Sequence, residues 1–213
     1  MKPEMDYRLY LVTDSTLTPD LTSAVTRALQ GGVTLVQVRE KGSDGGRFLE
    51  RAKAVKQVTD RYGVPLIIDD RVDVAWACGA AGVHLGQSDI PVTEARRLLG
   101  PDRIIGISAQ TPDQARRAQD GGADYLGVGA VFPTSTKRDA FTIGRDDLKA
   151  IQSAVRIPIV LIGGLDETNI PSFKESGPIA GFALVSAILG KKDICKASRH
   201  LRAVVDATLG DRA

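Results

Sequence analysis

The sequence predicts an α/β fold, a (β/α)8 TIM barrel, with residues 1–213 as a single domain. Short β-rich apolar runs alternate eight times with amphipathic stretches, as in parallel βαβ units. Polar residues follow the C-terminal ends of many different runs, as at the mouth of a barrel. An open doubly wound sheet would concentrate them at one crevice, and no GxGxxG follows the first run. The open sheet is therefore the weaker alternative.

Strands are predicted where an apolar run rich in β-branched residues is too short for a helix. Such runs suit strands of a parallel sheet, which are buried on both faces. The predicted strands span 9–13, 33–39, 65–69, 82–86, 103–108, 125–129, 157–164 and 181–185.

Helices are predicted between these strands from amphipathic stretches that have start and stop signals. Gly31, Gly63, Gly100 and Gly121 suit C-terminal caps, and Pro91 suits a first helical turn. A short helical stretch is expected after the eighth strand. The longer predicted helices lie near 20–30, 46–62, 72–79, 91–99, 112–121, 145–155, 168–176 and 194–209.

Composition narrows the class of protein. With 43% hydrophobic residues, 25% charged residues and a net charge of +2, the chain is typical of globular proteins and has no basic arm for nucleic acid. No run reaches the length of a membrane span, and we expect no signal peptide. Cys78 and Cys195 are expected to be free thiols, which fits a cytoplasmic location. We therefore expect neither nucleic acid nor membrane as a partner.

Three basic residues are candidate phosphate ligands. Arg39 and Lys41 lie in the segment QVREK, and Lys137 lies in TSTK. Arginine offers a planar fork of donors and lysine a point charge, and both suit phosphate oxygens. Most basic residues are only surface charges, but the position of Arg39 at a strand end favours a functional role.

Acidic residues at two neighbouring strand ends are candidate metal ligands. Asp70 and Asp89, with Asp69 beside them, could hold Mg²⁺, which takes few protein oxygens and leaves room for phosphate and water. Asp70 and Asp89 also precede predicted helices, where aspartate often caps the N-terminus. The pattern alone leaves both interpretations open.

Small residues after the last two strands suggest a second anion site. The segment IGGL (162–165) follows the seventh run, and Val185 and Ser186 follow the eighth. Loops after strands 7 and 8, together with a helix N-terminus, form a recurrent phosphate site in TIM barrels. A Gly-Gly pair alone also fits a tight turn, but the pairing of the two loops favours phosphate.

The two histidines carry little functional signal. His84 lies within a strand-like run and is expected to be a hydrogen-bonded structural residue, while His200 is expected on the surface of the last helix. No His/Cys cluster suggests zinc, and no Ser-His-Asp arrangement is evident.

Taken together, the basic and acidic candidates form one anion-binding sub-site, which suits a diphosphate. The small residues after the last two strands form another, which suits a monophosphate. Two such sub-sites indicate a transferase that releases diphosphate.

Several motifs together resemble the thiamine phosphate synthase family of (β/α)8 enzymes. They are YLVTD, GGVTLVQVREK, AGVHLGQSD, GADYLGVGAVFPTSTKRDA, IPIVLIGG and GFALVSAI, spread over residues 10–188. The resemblance implies that hydroxymethylpyrimidine diphosphate condenses with hydroxyethylthiazole phosphate, giving thiamine phosphate and diphosphate. It implies Mg²⁺ as cofactor and these two small molecules as partners, and it leaves open whether the chain forms a homodimer.

The resemblance also implies roles for the matching positions. Gln37 would contact the pyrimidine, and Ser108 would line the site near the pyrimidine and the leaving group. Asp70 and Asp89 would bind Mg²⁺. The diphosphate would be held by Arg39, Lys41 and Lys137. The thiazole phosphate would be held by Thr134, Thr136, Gly164, Val185 and Ser186.

Asp69 departs from the family pattern, which usually has asparagine there to help hold the diphosphate. A carboxylate about 4 Å from one phosphate charge costs about 4 kcal/mol at an effective dielectric of 20. Asp69 could join the Mg²⁺ shell, pair with Arg71 or a lysine, or be protonated. We favour the first two, because both keep the enzyme active.

Gln110 is a second departure, since many relatives have histidine there and a related thiazole tautomerase uses a histidine nearby. Two alternatives to the synthase follow: the tautomerase, and a phosphate-binding barrel that has lost turnover through Asp69. The loop over 130–144 is a candidate lid, because it is long and carries Thr, Ser and Gly.

Overall fold

The protein is described here by a computed structural model that covers residues 2–134 and 142–210. Within these ranges, eight parallel strands pair in chain order, and the last pairs with the first to close the barrel. The predicted (β/α)8 fold is therefore confirmed. The strands are β1 (Leu9–Val12), β2 (Leu35–Val38), β3 (Leu66–Asp69), β4 (Gly82–Leu85), β5 (Ile104–Ala109), β6 (Tyr125–Val128), β7 (Ile159–Ile162) and β8 (Gly181–Leu184).

The predicted helices are present, with one exception. Over 168–176 the chain forms only a 3₁₀ turn, Ile170–Phe173, in which only the two end residues are buried. Little apolar surface is therefore available to stabilise a longer helix. The α-helices are α1 (Leu21–Gln30), α2 (Gly45–Arg61), α3 (Val72–Ala77), α4 (Val92–Leu99), α5 (Pro112–Asp120), α6 (Arg145–Ala154), α7 (Ser186–Leu189) and α8 (Ile194–Leu209).

The strands bury two different faces, because successive side chains of a strand point in opposite directions. One face packs under the helices, as Leu11 and Ile68 do in the larger hydrophobic cluster. The other face fills the barrel interior with a smaller cluster that includes Tyr10, Ile67 and Tyr125. Polar residues that share the interior alternation are Gln37, Asp69, His84 and Ser108.

Two further sequence predictions concern cysteines and membrane spans. Cys78 and Cys195 are free thiols, and each is partly buried. Across the described ranges, no helix combines the length and the apolar character that crossing a membrane requires.

Candidate active site

The carboxyl end of β2 places Arg39 at the barrel mouth. Its backbone amide donates to Thr13 Oγ1 at 3.1 Å, which ties the ends of β1 and β2 together. Its Nε lies 3.8 Å from Asp69 Oδ2 at the end of β3. The Arg39 guanidinium is thus held at the mouth by a backbone contact and an opposite charge.

Lys41 joins the acidic residues of β3. Its ammonium hydrogen-bonds the Asp70 carboxylate and lies 3.4 Å from Asp69 Oδ2. Burial lowers the pKa of Lys41, but the hydrogen bond to Asp70 and the charges of both aspartates outweigh it, so the pKa is raised. Lys41 therefore carries its charge at neutral pH, and its ammonium group lies beside two carboxylates.

Asp69 is largely buried, with only 8% of its surface exposed. Burial, and then the charge of Asp70, raise the pKa of its carboxyl to about 6, against the opposing charges of Lys41 and Arg39. The predicted pairing with a lysine is confirmed, and the pairing with Arg71 is wrong. Arg71 instead donates from Nε to Asp73 Oδ1 at 2.8 Å, because both side chains reach the exposed start of α3.

Asp70 is the one non-glycine residue within 2–134 and 142–210 that has a positive φ, at 61°. Such a conformation costs on the order of 1 kcal/mol or more and is found where the surrounding structure enforces it. The Asp70 amide donates to His84 O at 2.8 Å, which holds the end of β3 against β4. The capping interpretation is wrong here, because Arg71 is the N-cap of α3 and no side chain caps that helix.

The same correction applies to Asp89. Pro91 is the N-cap of α4, and the helix has no side-chain cap, while Asp89 Oδ2 accepts from the Gly86 amide at 2.6 Å. Partial burial raises the pKa of the Asp89 carboxyl, and the neighbouring Asp70 carboxyl raises it further, against the Gly86 amide. The carboxyls of Asp70 and Asp89 therefore lie close enough to interact.

The donor set at this place fits Mg²⁺. Two interacting carboxylates from adjacent strand ends attract a cation, as the contact between Lys41 and Asp70 shows. In the described part of the chain, no three His, Cys, Asp or Glu side chains are grouped as a metal site. Mg²⁺ is commonly held by only one or two protein carboxylates, with substrate phosphates completing its coordination.

Deeper in the barrel, five polar side chains are joined by hydrogen bonds. Gln37 Nε2 donates to Tyr10 OH at 2.7 Å, and Tyr10 OH lies 2.9 Å from Tyr125 OH. His84 Nδ1 lies 2.9 Å from Tyr125 OH, and its Nε2 lies 3.0 Å from Ser108 Oγ. The hydrogen-bonded role predicted for His84 is confirmed. These bonds connect Gln37 and Ser108 across the barrel.

Two strand glycines provide the space for these side chains. A Cβ at Gly106 would lie 2.1 Å from Tyr125 Cζ and 2.5 Å from His84 Nδ1, and one at Gly127 would lie 2.9 Å from His84 Cε1. Sequence reasoning missed Tyr10 and Tyr125. The signal that could have identified them is their position: Tyr10 alternates with Val12, and Tyr125 with Gly127, on residues that face the barrel interior.

The loop after β7 is a tight turn that packs against the segment after β6. Gly163 and Gly164 have φ values of 97° and 65°. A Cβ on Gly164 would lie 2.5 Å from Pro133 O, so only glycine fits. The Phe132 amide donates to Gly163 O at 3.1 Å. The structural interpretation of the Gly-Gly pair is thus supported and is compatible with an anion site beside it.

Val185 and Ser186 follow β8, the strand that pairs with β7. Val185 is half-buried and precedes α7, and Ser186 is exposed at the start of that helix. Thr134, in the segment after β6, is half-buried. Thr136, Lys137 and the central part of the candidate lid over 130–144 lie outside the described residues.

Gln110 follows β5 and joins it to β6. Its amide Nε2 donates to Gly129 O at 3.3 Å, and its backbone amide donates to Gln114 Oε1 at 2.7 Å. At the other end of the chain, His200 is exposed on α8, as predicted. Gln110 therefore has a structural role where the ends of β5 and β6 meet.

Comparisons with known proteins extend over almost the whole chain. A family model described as thiamine monophosphate synthase matches residues 9–188. A thiamine-phosphate synthase of Clostridium tetani is 49% identical over 199 residues, covering 92% of this chain and 95% of that protein. One of Vibrio parahaemolyticus is 49% identical over 202 residues, covering 94% and 98%. A solved thiamine phosphate pyrophosphorylase from Pyrococcus furiosus superimposes with a TM-score of 0.89 at 40% identity, covering 96% and 98%.

Proposed function

Since the chain belongs to the thiamine monophosphate synthase family, we infer that it is a transferase that makes thiamine phosphate and releases diphosphate. Its substrates are small molecules, which we propose to be hydroxymethylpyrimidine diphosphate and hydroxyethylthiazole phosphate. The observation that carries the proposal is the cluster of Arg39, Lys41, Asp69 and Asp70 at the mouth. It combines cations for a diphosphate with carboxylates for a metal.

Arg39, Lys41 and Lys137 are proposed to hold the diphosphate. Lys41 now contacts Asp70, so it would exchange that carboxylate for phosphate oxygens when substrate binds. Arg39 is positioned beforehand by its backbone bond to Thr13. Charges that are held in place before the reaction stabilise a developing anion without reorganisation, and this is usually a large contribution to catalysis.

Asp70 and Asp89 are proposed to hold Mg²⁺. The ion, when bound, supplies positive charge that offsets the charge of the diphosphate. The left-handed backbone at Asp70 and the Gly86 amide on Asp89 orient the two carboxylates. Asp69 would pair with Arg39 and Lys41 and so limit their movement while the site is empty of substrate.

The proposed reaction is a dissociative substitution. The bond between the pyrimidine methylene carbon and the diphosphate oxygen breaks, and both electrons leave with the diphosphate. The pyrimidine amino group donates electron density to the methylene cation, and the thiazole nitrogen then forms the new carbon–nitrogen bond. Gln37 and Ser108 would orient the pyrimidine, and no strong protein base is required.

The thiazole phosphate is proposed to bind between the ends of β6, β7 and β8. Support comes from the adjacent loops after β7 and β8, whose strands pair through Ile162 and Ala183. Backbone amides at such loops favour a phosphate group. The proposed ligands are Thr134, Thr136, Gly164, Val185 and Ser186.

We also propose a cytoplasmic location, which the free thiols support. Whether the chain forms a homodimer can be decided by sedimentation equilibrium. Neither point affects the assignment of the reaction.

One assay tests the function against its alternatives. The purified protein is incubated with both substrates and Mg²⁺, and we expect thiamine phosphate and diphosphate in equal amounts. Tautomer conversion without thiamine phosphate would make the protein a tautomerase. Binding without either product would indicate a barrel that has lost turnover. The tautomerase is not favoured, because the relatives are named as synthases and Gln110 replaces the histidine.

A further inference from the structure

The five hydrogen-bonded side chains inside the barrel, Gln37, Tyr10, Tyr125, His84 and Ser108, form what we call the interior relay. Each neighbouring pair is 2.7 to 3.0 Å apart. The five residues lie on five different strands, which the four bonds connect, and the two ends are the residues assigned above to the pyrimidine. The relay therefore links two sides of one proposed pocket.

One set of bond directions gives each hydroxyl hydrogen of the two relay tyrosines an acceptor within the interior relay, and the bonds are assigned accordingly. Gln37 donates to Tyr10 OH, so the single hydroxyl hydrogen of Tyr10 is available for Tyr125. The hydrogen of Tyr125 then goes to His84 Nδ1, which must be unprotonated. His84 consequently carries its proton on Nε2 and donates it to Ser108 Oγ. The Ser108 hydrogen remains available to a substrate.

We propose that the interior relay sets the donor and acceptor polarity of the pocket and thereby selects a 4-aminopyrimidine over a 4-oxopyrimidine. The proposal rests on the proposed function, which places the pyrimidine at Gln37 and Ser108. One N–H of the Gln37 amide is bound to Tyr10, which fixes the orientation of the amide, and its carbonyl oxygen then accepts from an amino group. Ser108 offers a hydrogen, which suits a ring nitrogen. Tyr10, Tyr125 and His84 are thus positioning residues.

The geometry around the interior relay favours one fixed arrangement. Tyr10 and Tyr125 are almost completely buried, and Gln37 is only 4% exposed. Gly106 and Gly127 leave the exact space that the Tyr125 and His84 rings occupy. A buried donor or acceptor that loses its partner costs on the order of 1–3 kcal/mol, so reversal of one bond is unfavourable unless all reverse.

The direction of the bonds can be read from His84 without any substrate. The chain has two histidines, and His200 is exposed, so nitrogen-15 NMR of the intact protein distinguishes them. We expect His84 to be protonated at Nε2 and unprotonated at Nδ1. A proton on Nδ1 would overturn the proposed polarity, whatever the enzyme does with its substrates.

The consequence for specificity is measured by binding. Dissociation constants of the 4-amino pyrimidine diphosphate and its 4-oxo analogue are compared in the presence of Mg²⁺. Tyr10→Phe removes one hydroxyl and frees the Gln37 amide to rotate, so we expect the preference for the amino compound to fall at least tenfold. An unchanged preference would overturn the proposal. Tyr125→Phe breaks the interior relay at the next bond and serves if Tyr10→Phe does not fold.

Tyr7→Phe is the matched control. The Tyr7 ring packs against Tyr125 with ring centres 4.9 Å apart, but within the described residues it does not join the interior relay. The preference of the Tyr7→Phe variant for the 4-amino compound should stay within twofold of that of the unaltered protein. A tenfold loss of this preference would assign the effect to packing and overturn the proposal. If the unaltered protein binds neither compound, the proposed substrate is wrong, and the NMR result still decides the polarity.

Discussion

Asp69 is a largely buried carboxylate that lies among the cations of the mouth. Its carboxylate lies 3.4 Å from the Lys41 ammonium and 3.8 Å from the Arg39 guanidinium. Two of the three cations proposed to hold diphosphate are therefore already paired. Diphosphate must compete with this carboxylate, which weakens its binding without removing any cation from the mouth.

Replacing this carboxylate should therefore not harm the enzyme. In Asp69→Asn the two cations are freed for phosphate oxygens, and we expect activity to be retained and the dissociation constant for diphosphate to fall by up to about tenfold. Calorimetric titration with diphosphate and Mg²⁺ measures this. Asp73→Asn is the control, because Asp73 is the exposed partner of Arg71, and it should change neither the activity nor the dissociation constant for diphosphate. Complete loss of activity in Asp69→Asn would reveal an essential role for the acid.

The cations themselves should be indispensable. Arg39→Ala and Lys137→Ala are each expected to lower kcat at least tenfold, about 1.4 kcal/mol of lost transition-state stabilisation. Steady-state kinetics with saturating substrates provides the measurement. Lys149→Ala, an exposed lysine of α6, is the control and should retain full activity. Near-normal rates in both variants would remove their role at the leaving group.

Asp70 offers a test of the metal site that leaves the backbone undisturbed. Asparagine tolerates the left-handed conformation found there at φ 61°. Asp70→Asn should therefore fold normally but require roughly tenfold or more Mg²⁺ for half-maximal activity, because a carboxylate ligand is lost. An unchanged Mg²⁺ requirement, measured beside Asp73→Asn, would assign the metal elsewhere.

At the scale of the elements, the alternation of interior and exterior residues determines what each strand contributes. β5 and β6 each place a glycine on the interior face, and these glycines accommodate the rings of His84 and Tyr125. Small residues on two strands therefore leave room for large side chains on other strands. Packing of this kind tolerates little extra volume.

Gly106→Ala tests this packing. The added methyl would lie 2.1 Å from Tyr125 Cζ, and we expect a loss of about 1–3 kcal/mol or more in the free energy of unfolding. Thermal unfolding should show a Tm lower by several degrees, at roughly 2–4 °C per kcal/mol. Gly46→Ala in α2, whose nearest atom would be 3.4 Å away, should not lower Tm. An unchanged Tm in Gly106→Ala would contradict the packing argument.

For the whole molecule, ligand binding should appear as added stability, because the mouth joins side chains from several strands. A ligand at about 100 times its dissociation constant stabilises the folded state by about 2.7 kcal/mol. Diphosphate with Mg²⁺ should therefore raise Tm by roughly 5–10 °C. Sulfate at equal ionic strength is the control, and an equal shift with sulfate would show that the site does not recognise diphosphate.

The sequence by itself determined the order of strands and helices and the class of reaction. Local apolar periodicity and capping glycines such as Gly100 depend on neighbouring residues only, so the elements could be predicted one by one. Parallel strands must bring their carboxyl ends to one side, so Arg39, Asp70 and Asp89 could be placed at one mouth. The 3₁₀ turn at Ile170–Phe173 was not predicted, because its length depends on packing.

Only the tertiary structure decided which charges meet and which polar groups join. Asp70 and Asp89 could have been helix caps, and the fold excludes that by giving the caps to Arg71 and Pro91. Tyr10 and Tyr125 are 115 positions apart, and their contact exists only because closing the barrel brings β1 and β6 to face each other across its interior. Such contacts depend on distances of a few tenths of an ångström, which local sequence patterns do not contain.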